Sequence, residues 1–323
     1  MSAPPPWPRL GLGCATLGTP PPGLGDADAA SVMSAAIERG VRFFDVAPLY
    51  GGGLAEERLG RALARLPREQ VVLCTKTGVT RPYAQSAMPP GATRRREFDR
   101  WDYSAGATRA SVVRSLERLR TDRLDVVHIH DAEAHLDAAL DAHAELLRMR
   151  AEGIVGTVGI GSNLVAPVAW LMEHAPFGAF LLAGRYTLLD PSGRALIERA
   201  HAHGVRVIAG GVFNSGILAA WPQPSTFDYG EAPPSVVARV ARIADVCARH
   251  GVPLAAAALQ FVLAHPAVTT VLIGPRTVAE LDANLAGARV PIPDALWSDL
   301  EAAGLIDAGA PRPDAHALAH VLG

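Results

Sequence analysis

Short apolar segments rich in Val, Ile, Leu and Phe recur along the chain, and each is followed by a polar residue and a loop. Segments of this kind are typical of parallel strands that are buried on both faces. The pattern predicts a first strand and turn within 9–18. It predicts seven further strands near 41–46, 71–76, 125–130, 157–161, 179–184, 205–210 and 269–273.

Helical periodicity alternates with these strands. A helix is predicted from Asp28 to Arg39, and it ends at Gly40, a residue that favours helix termination. Two helical segments lie between the seventh and eighth strands, and the tail at 291–323 contains the sequence DALWSDLEAAGL. The remaining helices are predicted near 55–65, 107–120, 137–151, 165–174, 193–203, 235–250, 254–264 and 276–287.

Eight strands with helices between them predict an α/β fold, a closed (β/α)₈ TIM barrel with extra helices and a C-terminal tail. A single barrel domain over residues 1–323 accounts for the length of the chain. The alternative is an open doubly wound sheet, which would carry a GxGxxG turn after its first strand. Gly11, Gly13 and Gly18 do not have that spacing, so this alternative is disfavoured.

Four polar side chains stand at or just beyond three successive strand ends: Asp45, Tyr50, Lys76 and His130. In a barrel of this type the chemistry lies at the C-terminal ends of the strands, so these side chains are predicted to meet there. Each has an alternative reading on its own, such as a turn cap for Asp45 or a solvated side chain for Lys76. Their joint occurrence predicts an enzyme, with His128 as an interior histidine.

The composition of the chain limits the class of molecule that it is expected to bind. Apolar residues make up 49% of the chain, and 30 basic residues nearly balance 32 acidic ones, so neither nucleic acid nor an anionic membrane is expected to bind. Three cysteines without a CxxC pair or metal-type spacing indicate reduced thiols and no metal site. With no apolar run of about 18 residues, the sequence predicts a cytoplasmic protein that acts on a small molecule.

Several motifs carry a family resemblance. FFDVAPLYG, EERLG, CTK, DVVHIHD, VGIGSN and IGPRTVAELDANL resemble the aldo-keto reductase superfamily over nearly the whole chain. HIHDAE, AGRYTLLD, AGGVFNSGIL and DALWSDLEAAGLI resemble, more narrowly, bacterial aldose 1-dehydrogenases of the L-fucose dehydrogenase type. Pyridoxal and plant L-galactose dehydrogenases look similar. The resemblance implies NAD(P)-dependent oxidation of an aldose such as L-fucose, D-arabinose or L-galactose at C1 to the lactone.

The resemblance also implies roles for the four residues. Tyr50 is the acid/base, and Lys76 is the cation expected to stabilise its phenolate, because a free phenol is a poor base at neutral pH. Asp45 pairs with Lys76, and His130 donates to the substrate oxygen. A Schiff-base aldolase using Lys76, a carbonyl or pyridoxal reductase, and a nucleotide-binding regulatory subunit of a membrane channel remain alternatives.

Cofactor contacts are likewise implied by the resemblance. In many members a Gln stands near the end of the sixth strand, where this chain has Ala183 or Gly184. In many members an aromatic residue at the end of the seventh strand stacks on nicotinamide, but this chain has Gly210 there, and Phe213 in the following loop is a candidate replacement. Glu280 favours NAD, whereas Arg276 would attract the phosphate of NADP, and NAD is preferred slightly. The predicted cofactor residues are Ser162, Asn163, Phe213, Asn214, Ser215, Gly216, Gly274, Arg276, Thr277, Glu280 and Asn284.

Substrate contacts are predicted in the long loops from Thr77 to about Gly106 and from Phe213 to about Pro234. Aromatic side chains that stack on sugar faces would suit a polar substrate. Trp101 is the preferred candidate for this contact, whereas the arginines of the same loop are as well explained as solvated side chains. The loop residues considered are Arg94, Arg95, Arg96, Phe98, Trp101 and Tyr103.

Overall fold

The computed structural model describes residues 7–19, 23–81, 100–223 and 226–313. Eight of the described strands are parallel and close into a barrel, in which each barrel strand lies next to the barrel strand that follows it along the chain. Four further short strands in the same residue ranges lie outside the barrel. The strands, in chain order, are β1 (Leu10–Gly13), β2 (Phe43–Asp45), β3 (Val72–Thr77), β4 (Val79–Arg81), β5 (Arg100–Trp101), β6 (Leu124–His130), β7 (Val155–Ser162), β8 (Ala179–Ala183), β9 (Arg206–Gly210), β10 (Thr226–Phe227), β11 (Gly230–Glu231) and β12 (Thr270–Ile273).

Helices pack around the barrel and connect its strands. The predicted extra segments between the last two barrel strands are two helices, and a further helix follows the barrel. The helices are α1 (Asp26–Glu38), α2 (Leu54–Leu63), α3 (Ala105–Leu119), α4 (Leu136–Ala151), α5 (Val165–His174), α6 (Arg194–Ala202), α7 (Pro234–Arg249), α8 (Leu254–Leu263), α9 (Val278–Gly287) and α10 (Asp294–Ala302).

The barrel strands are β1, β2, β3, β6, β7, β8, β9 and β12, and the (β/α)₈ prediction is confirmed. The sequence pattern did not indicate two small antiparallel sheets, β4 with β5 and β10 with β11. Both pairs lie in the two long loops, where strands of two or three residues are too short to show alternation.

Alternate residues of the strands fill the barrel interior, because successive side chains of a strand point to opposite faces. At the N-terminal end Trp7 contacts Phe43 edge-on, with ring centroids 5.3 Å apart, and the guanidinium of Arg206 lies 4.5 Å from the Trp7 ring. The interior is therefore a packed core and not a channel. Its buried members are Phe43, Val72, Cys74, Val126, Ala179, Leu181, Ile208 and Leu272.

Gly159 of β7 makes room for His128 on the neighbouring strand, and Gly161 of β7 lies beside the stem of Lys76. A Cβ atom on Gly159 would lie 2.4 Å from Nδ1 of His128, and one on Gly161 would lie 3.6 Å from Cε of Lys76. In the barrel register Lys76 pairs with His128, and His128 pairs with Gly159. Gly159 thus lets β6 place the imidazole of His128 inside the barrel.

The outer layer continues into α7 and α10, which pack together. Arg239 and Arg242 on α7 donate to the carbonyl oxygens of Leu305 and Ala303, at 2.6 and 2.8 Å. Within the described residues no single helix is long and apolar enough to cross a membrane. Taken together, α7 and α8 would be long and apolar enough, but the two helices meet at an angle of 98°.

His128 makes the stability of the fold depend on pH. Burial and the nearby charge of Lys76 lower the pKa of His128 to about 3, whereas the unfolded chain binds this proton near pH 6.5. Between these values the unfolded state holds the extra proton, so falling pH favours unfolding. We expect the free energy of unfolding of the wild type to fall faster than that of His128→Gln below pH 6.5, by up to about 1.4 kcal/mol per pH unit.

Urea unfolding at pH 7.5, 6.0 and 5.0 checks this expectation. His201→Gln is the matched control, because His201 is exposed on α6. Parallel curves for the wild type and His128→Gln would contradict a neutral, buried His128.

Candidate active site

A buried ion pair joins two neighbouring strands at the C-terminal end of the barrel. Nζ of Lys76 on β3 donates to Oδ2 of Asp45 on β2 at 2.6 Å and to the carbonyl oxygen of Val46 at 3.0 Å. The side chains of Lys76 and Asp45 are only 2% and 4% exposed. Asp45 therefore holds the lysine in place, and the cap and solvated alternatives for these two residues do not describe the structure.

Tyr50 reaches this pair from a glycine turn. Gly51, Gly52 and Gly53 all have left-handed backbone angles, with φ of 67°, 69° and 98°, a run that suits glycine because it has no Cβ. A Cβ atom on Gly51 would lie 2.0 Å from the carbonyl oxygen of Gly18. The glycines thus serve a tight turn, which leaves the ring centroid of Tyr50 4.9 Å from Nζ of Lys76.

The electrostatics of the cluster set its protonation state. Burial alone would lower the pKa of Lys76, but Asp45 and Tyr50 outweigh it and raise the pKa above its ordinary value, so the ammonium stays charged. Burial raises the pKa of Tyr50, and Lys76 opposes this without reversing it. The expected stabilisation of the phenolate by Lys76 has the right sign but is the smaller effect. At neutral pH the resting site holds a phenol beside an ammonium ion.

His130 lies beside Tyr50 at the end of β6. The ring centroids of His130 and Tyr50 are 6.1 Å apart at 89°, and those of His130 and Trp101 are 6.1 Å apart at 81°. Tyr103 stacks on Trp101 and donates from its hydroxyl to the carbonyl oxygen of His130 at 2.7 Å. The structure thus brings the predicted substrate residue Trp101 next to the catalytic candidates. Arg94, Arg95, Arg96 and Phe98 lie outside the described residues.

Two supporting carboxylates escaped the sequence analysis. Glu56 on α2 is fully buried, and its two oxygens accept from Thr75 Oγ1 and Arg118 Nε, both at 2.7 Å. It ties the helix that follows the Tyr50 turn to the strand that carries Lys76. Asp131 is also buried, with φ of 49°, and its Oδ2 lies 3.5 Å from Nε2 of His130. The motif EERLG was visible in the sequence, but the partners of Glu56 come from β3 and α3, whereas Asp131 lies beside its neighbour in HIHD, His130.

Ser162 and Asn163, predicted to contact the nicotinamide, stand at the end of β7, and the segment predicted to contact the pyrophosphate follows β9. Ser162 Oγ accepts from the backbone N–H of Leu164 at 3.0 Å, and Asn163 follows it at the surface. Asn214 and Ser215 have left-handed φ of 46° and 60° in the turn after Phe213. Oδ1 of Asn214 is buried and has no hydrogen-bond partner among the described residues. A buried free acceptor suits the amide or hydroxyl donors of a dinucleotide, so this segment fits such a cofactor.

The predicted adenosine residues surround the N-terminus of α9. Thr277 caps the helix by accepting from the backbone N–H of Glu280 at 3.1 Å, and Glu280 accepts from the backbone N–H of Arg276 at 2.7 Å. Gly274 connects β12 to this turn, and Asn284 lies half-buried two turns further along. The arrangement places a carboxylate beside a helix N-terminus, where the backbone amides suit an anion.

The departures seen in the sequence place glycines at the ends of β8 and β9. Gly184 and Gly211 have left-handed φ of 72° and 62°, and Gly210 precedes them on the rim without a side chain. Phe213 is partly buried and packs against the hydrophobic core. Arg185 fills part of the rim, where its Nε donates to the carbonyl oxygen of Asn163 at 2.7 Å.

The barrel fold agrees with the family that comparisons with known proteins indicate. The model of the Aldo/keto reductase family matches residues 9–304. The chain belongs to the aldo/keto reductase family. It is an NAD(P)-dependent oxidoreductase, as this family and its dehydrogenase relatives indicate.

Two curated relatives cover nearly the whole chain. D-threo-aldose 1-dehydrogenase from Pseudomonas sp is 38% identical over 312 residues, 93% of this chain and 94% of the relative. Pyridoxal 4-dehydrogenase from Microbacterium luteolum is 36% identical over 323 residues, 92% of this chain and 94% of the relative. The holo form of an aldo-keto reductase from Bacillus halodurans shares the fold, with a TM-score of 0.73 at 24% identity, covering 94% and 93% of the two chains.

Breaking the buried ion pair between Lys76 and Asp45 measures its contribution to the free energy of unfolding. Lys76→Met leaves Asp45 buried without its cation, and removal of one partner of such a pair costs about 3–5 kcal/mol. We expect the double variant Asp45→Asn/Lys76→Met to recover at least half of that loss, because it buries no charge. Urea unfolding of both variants measures the difference. Equal stability of the single and double variants would show that the charge on Asp45 is not held by Lys76.

Proposed function

We propose that this aldo/keto reductase is an aldose 1-dehydrogenase that oxidises a cyclic aldose of the L-fucose, D-arabinose or L-galactose type to its lactone. The observation that supports this proposal most directly is the cluster of Asp45, Lys76, Tyr50 and His130. Trp101, which is stacked on Tyr103, lies at the edge of this cluster. An aromatic face beside an acid/base group suits a sugar ring with its anomeric carbon at that group. The 38% identity to D-threo-aldose 1-dehydrogenase supports this choice.

The four residues divide the chemistry at the anomeric hydroxyl. In the oxidative direction the phenolate form of Tyr50 accepts the hydroxyl proton as the C1–O bond becomes a carbonyl. Lys76 lowers the cost of forming that phenolate, and Asp45 keeps Lys76 charged and oriented. His130 is placed to donate to the same oxygen. In the reductive direction the phenol form of Tyr50 returns the proton to the alkoxide.

The nicotinamide cofactor supplies the hydride acceptor when it is bound. Asn163 and Ser162 would hold its carboxamide end, and the segment from Phe213 to Gly216 would contact the pyrophosphate. The N-terminus of α9, with Thr277 and Glu280, would hold the adenosine end. The buried acceptor Oδ1 of Asn214 in that segment supports a donor group of the cofactor there, such as the nicotinamide amide or a ribose hydroxyl.

Pyridoxal oxidation is the second candidate, because pyridoxal 4-dehydrogenase is 36% identical over 92% of the chain. The same tetrad serves either substrate, since both reactions move a proton at an oxygen and a hydride at its carbon. A Schiff-base aldolase is disfavoured, because a nucleophilic amine must be neutral and Lys76 is held as an ammonium ion by Asp45. Stoichiometric hydride transfer without turnover would instead indicate a regulatory subunit.

The charge balance and the cysteines bear on the binding partner and the cellular location that we propose. The near balance of 30 basic and 32 acidic residues favours a small-molecule partner over nucleic acid or membrane. Cys14, Cys74 and Cys247 are free and buried. This supports a reducing, cytoplasmic location.

Tyr50 tests the proposed function directly. We expect NAD(P) reduction with L-fucose, D-arabinose or L-galactose, followed at the absorbance of the reduced nicotinamide, and a loss of kcat of about 10²–10⁴-fold in Tyr50→Phe. Because the pKa of Tyr50 is raised, kcat/KM of the wild type for oxidation should rise with pH through neutrality.

The control is Tyr186→Phe, since Tyr186 is buried against Phe261 away from the tetrad. Cofactor affinity of Tyr50→Phe should stay near that of the wild type. Full activity of Tyr50→Phe would overturn the mechanism, and turnover of pyridoxal without turnover of any sugar would select the second candidate.

Glu280 tests cofactor preference, for which we propose NAD. Its carboxylate, held at the N-terminus of α9, would repel a 2′-phosphate and accept from a 2′-hydroxyl. Glu280→Gln should lower the KM for NADP relative to that for NAD by about 3- to 10-fold, the size of one exposed charge interaction. Asp294→Asn, which removes the same charge from the first turn of α10, is the control. An unchanged ratio in Glu280→Gln would place the 2′-position elsewhere.

A further inference from the structure

The loop after β9 carries a hairpin whose tip is strained. Strands β10 and β11 pair Phe227 with Gly230, so Asp228 and Tyr229 form a two-residue turn. Both have left-handed backbone angles, with φ of 49° and 67°. Such turns ordinarily carry Asn or Gly, and a bulky aromatic residue in this region is an outlier that calls for an explanation. The chain places a tyrosine where its backbone disfavours one.

The strained tip is held in place by partners at the barrel rim. Both oxygens of Asp228 accept from Nη2 of Arg185 at 3.0 Å, and Arg185 also donates to the carbonyl oxygen of Asn163. The backbone N–H of Tyr229 donates to Oγ of Ser215 at 2.9 Å. Thr226 Oγ1 donates to the carbonyl oxygen of Ser215 at 2.7 Å. The hairpin is thus tied to the ends of β7, β8 and β9 at once.

These ties place the side chain of Tyr229 over the barrel mouth. Its hydroxyl accepts from Nδ2 of Asn163 at 3.4 Å, and its phenol is near enough to Tyr50 to contribute to the raised pKa of that residue. The residue remains 73% exposed. Phe227 on the same hairpin packs against the core, whereas Tyr229 does not. Packing therefore explains Phe227 and leaves Tyr229 unexplained.

Among the described residues, glycines and not aromatic residues occupy the ends of β8 and β9 beside the hairpin. Gly210 ends β9 and Gly211 follows it, and Gly184 follows β8. The two backbones are close together, since the N–H of Gly184 donates to the carbonyl oxygen of Gly210 at 2.9 Å. Phe213, the candidate from the sequence, is partly buried and packs against the core. An exposed phenol tied to Asn163 beside this glycine surface is placed to cover a flat ring bound there.

We propose that Tyr229 packs over the nicotinamide end of the bound cofactor and supplies the aromatic contact that the glycine rim lacks. The inference rests on the proposed function, because it requires a nicotinamide cofactor at Asn163. Asp228 and Arg185 position the hairpin, and the strain at its tip is the cost of presenting an aromatic ring from a two-residue turn. The backbone strain and the exposed ring are both accounted for by this role.

Protection from nitration tests the contact without any turnover. Wild-type protein is treated with tetranitromethane in the absence and presence of saturating NAD or NADP, and nitration is quantified at each tyrosine by peptide mass spectrometry. We expect Tyr229 to be nitrated readily in the free protein and at least about five-fold more slowly with cofactor. Tyr186, which is buried, is the internal control. Equal nitration of Tyr229 with bound cofactor would overturn the inference.

Substitution separates this role from a structural one. Tyr229→Gly relieves the left-handed strain, so its melting temperature should equal or exceed that of the wild type, by about 1–3 °C. Its Kd for the cofactor, measured without substrate by quenching of tryptophan fluorescence, should rise at least about five-fold. Tyr229→Phe should keep most of the affinity, because the ring remains.

Phe213→Ala is the comparison variant for the same Kd measurement. If Phe213→Ala weakens the cofactor and Tyr229→Gly does not, the aromatic contact belongs to Phe213 and the inference is wrong. If the wild-type protein binds neither NAD nor NADP, the proposed function fails as well. Binding by the wild type with an unchanged Kd in Tyr229→Gly overturns the inference alone.

Discussion

The buried ion pair between Lys76 and Asp45 is the constraint on which the site depends. An ammonium ion without solvent costs several kcal/mol unless an anion meets it with good geometry. That geometry requires β2 and β3 to be neighbours, in a register where Asp45 pairs with Cys74 and Lys76 lies one side-chain layer higher. It also requires room in the interior, where the lysine stem passes Gly161 of β7. The closed barrel satisfies all three conditions, so fold and chemistry are specified together.

Much of the barrel and the reacting cluster could be predicted because both follow from local patterns. The apolar runs mark the strands, and parallel topology then brings their C-terminal ends to one rim. Asp45, Lys76 and His130 end three of those strands, so their proximity follows once the strands are placed in order. The separation of His128 from His130 follows in the same way, since the two point to the same interior but differ in depth.

The rest depends on contacts that no local pattern encodes. Glu56 binds Thr75 and Arg118, which lie 19 and 62 residues away, and its role appears only when α2, α3 and β3 are packed. Tyr229 stands in a backbone region that its residue type disfavours, so sequence preferences argue against its turn. The protonation of Tyr50 is a balance between burial and the charge of Lys76, and the sign of that balance requires the geometry.

The same balance explains why the tetrad alone does not choose between oxidation and reduction. A protonated Tyr50 is ready to donate to an alkoxide, whereas it must first lose its proton to act as a base on a hydroxyl. Lys76 reduces the cost of that loss in both directions, because it stabilises the phenolate whether the phenolate is reactant or product. Neither the direction nor the substrate therefore follows from the tetrad alone. The strand ends hold the groups proposed to move the proton, whereas Trp101, the proposed substrate contact, comes from a short loop strand outside the barrel.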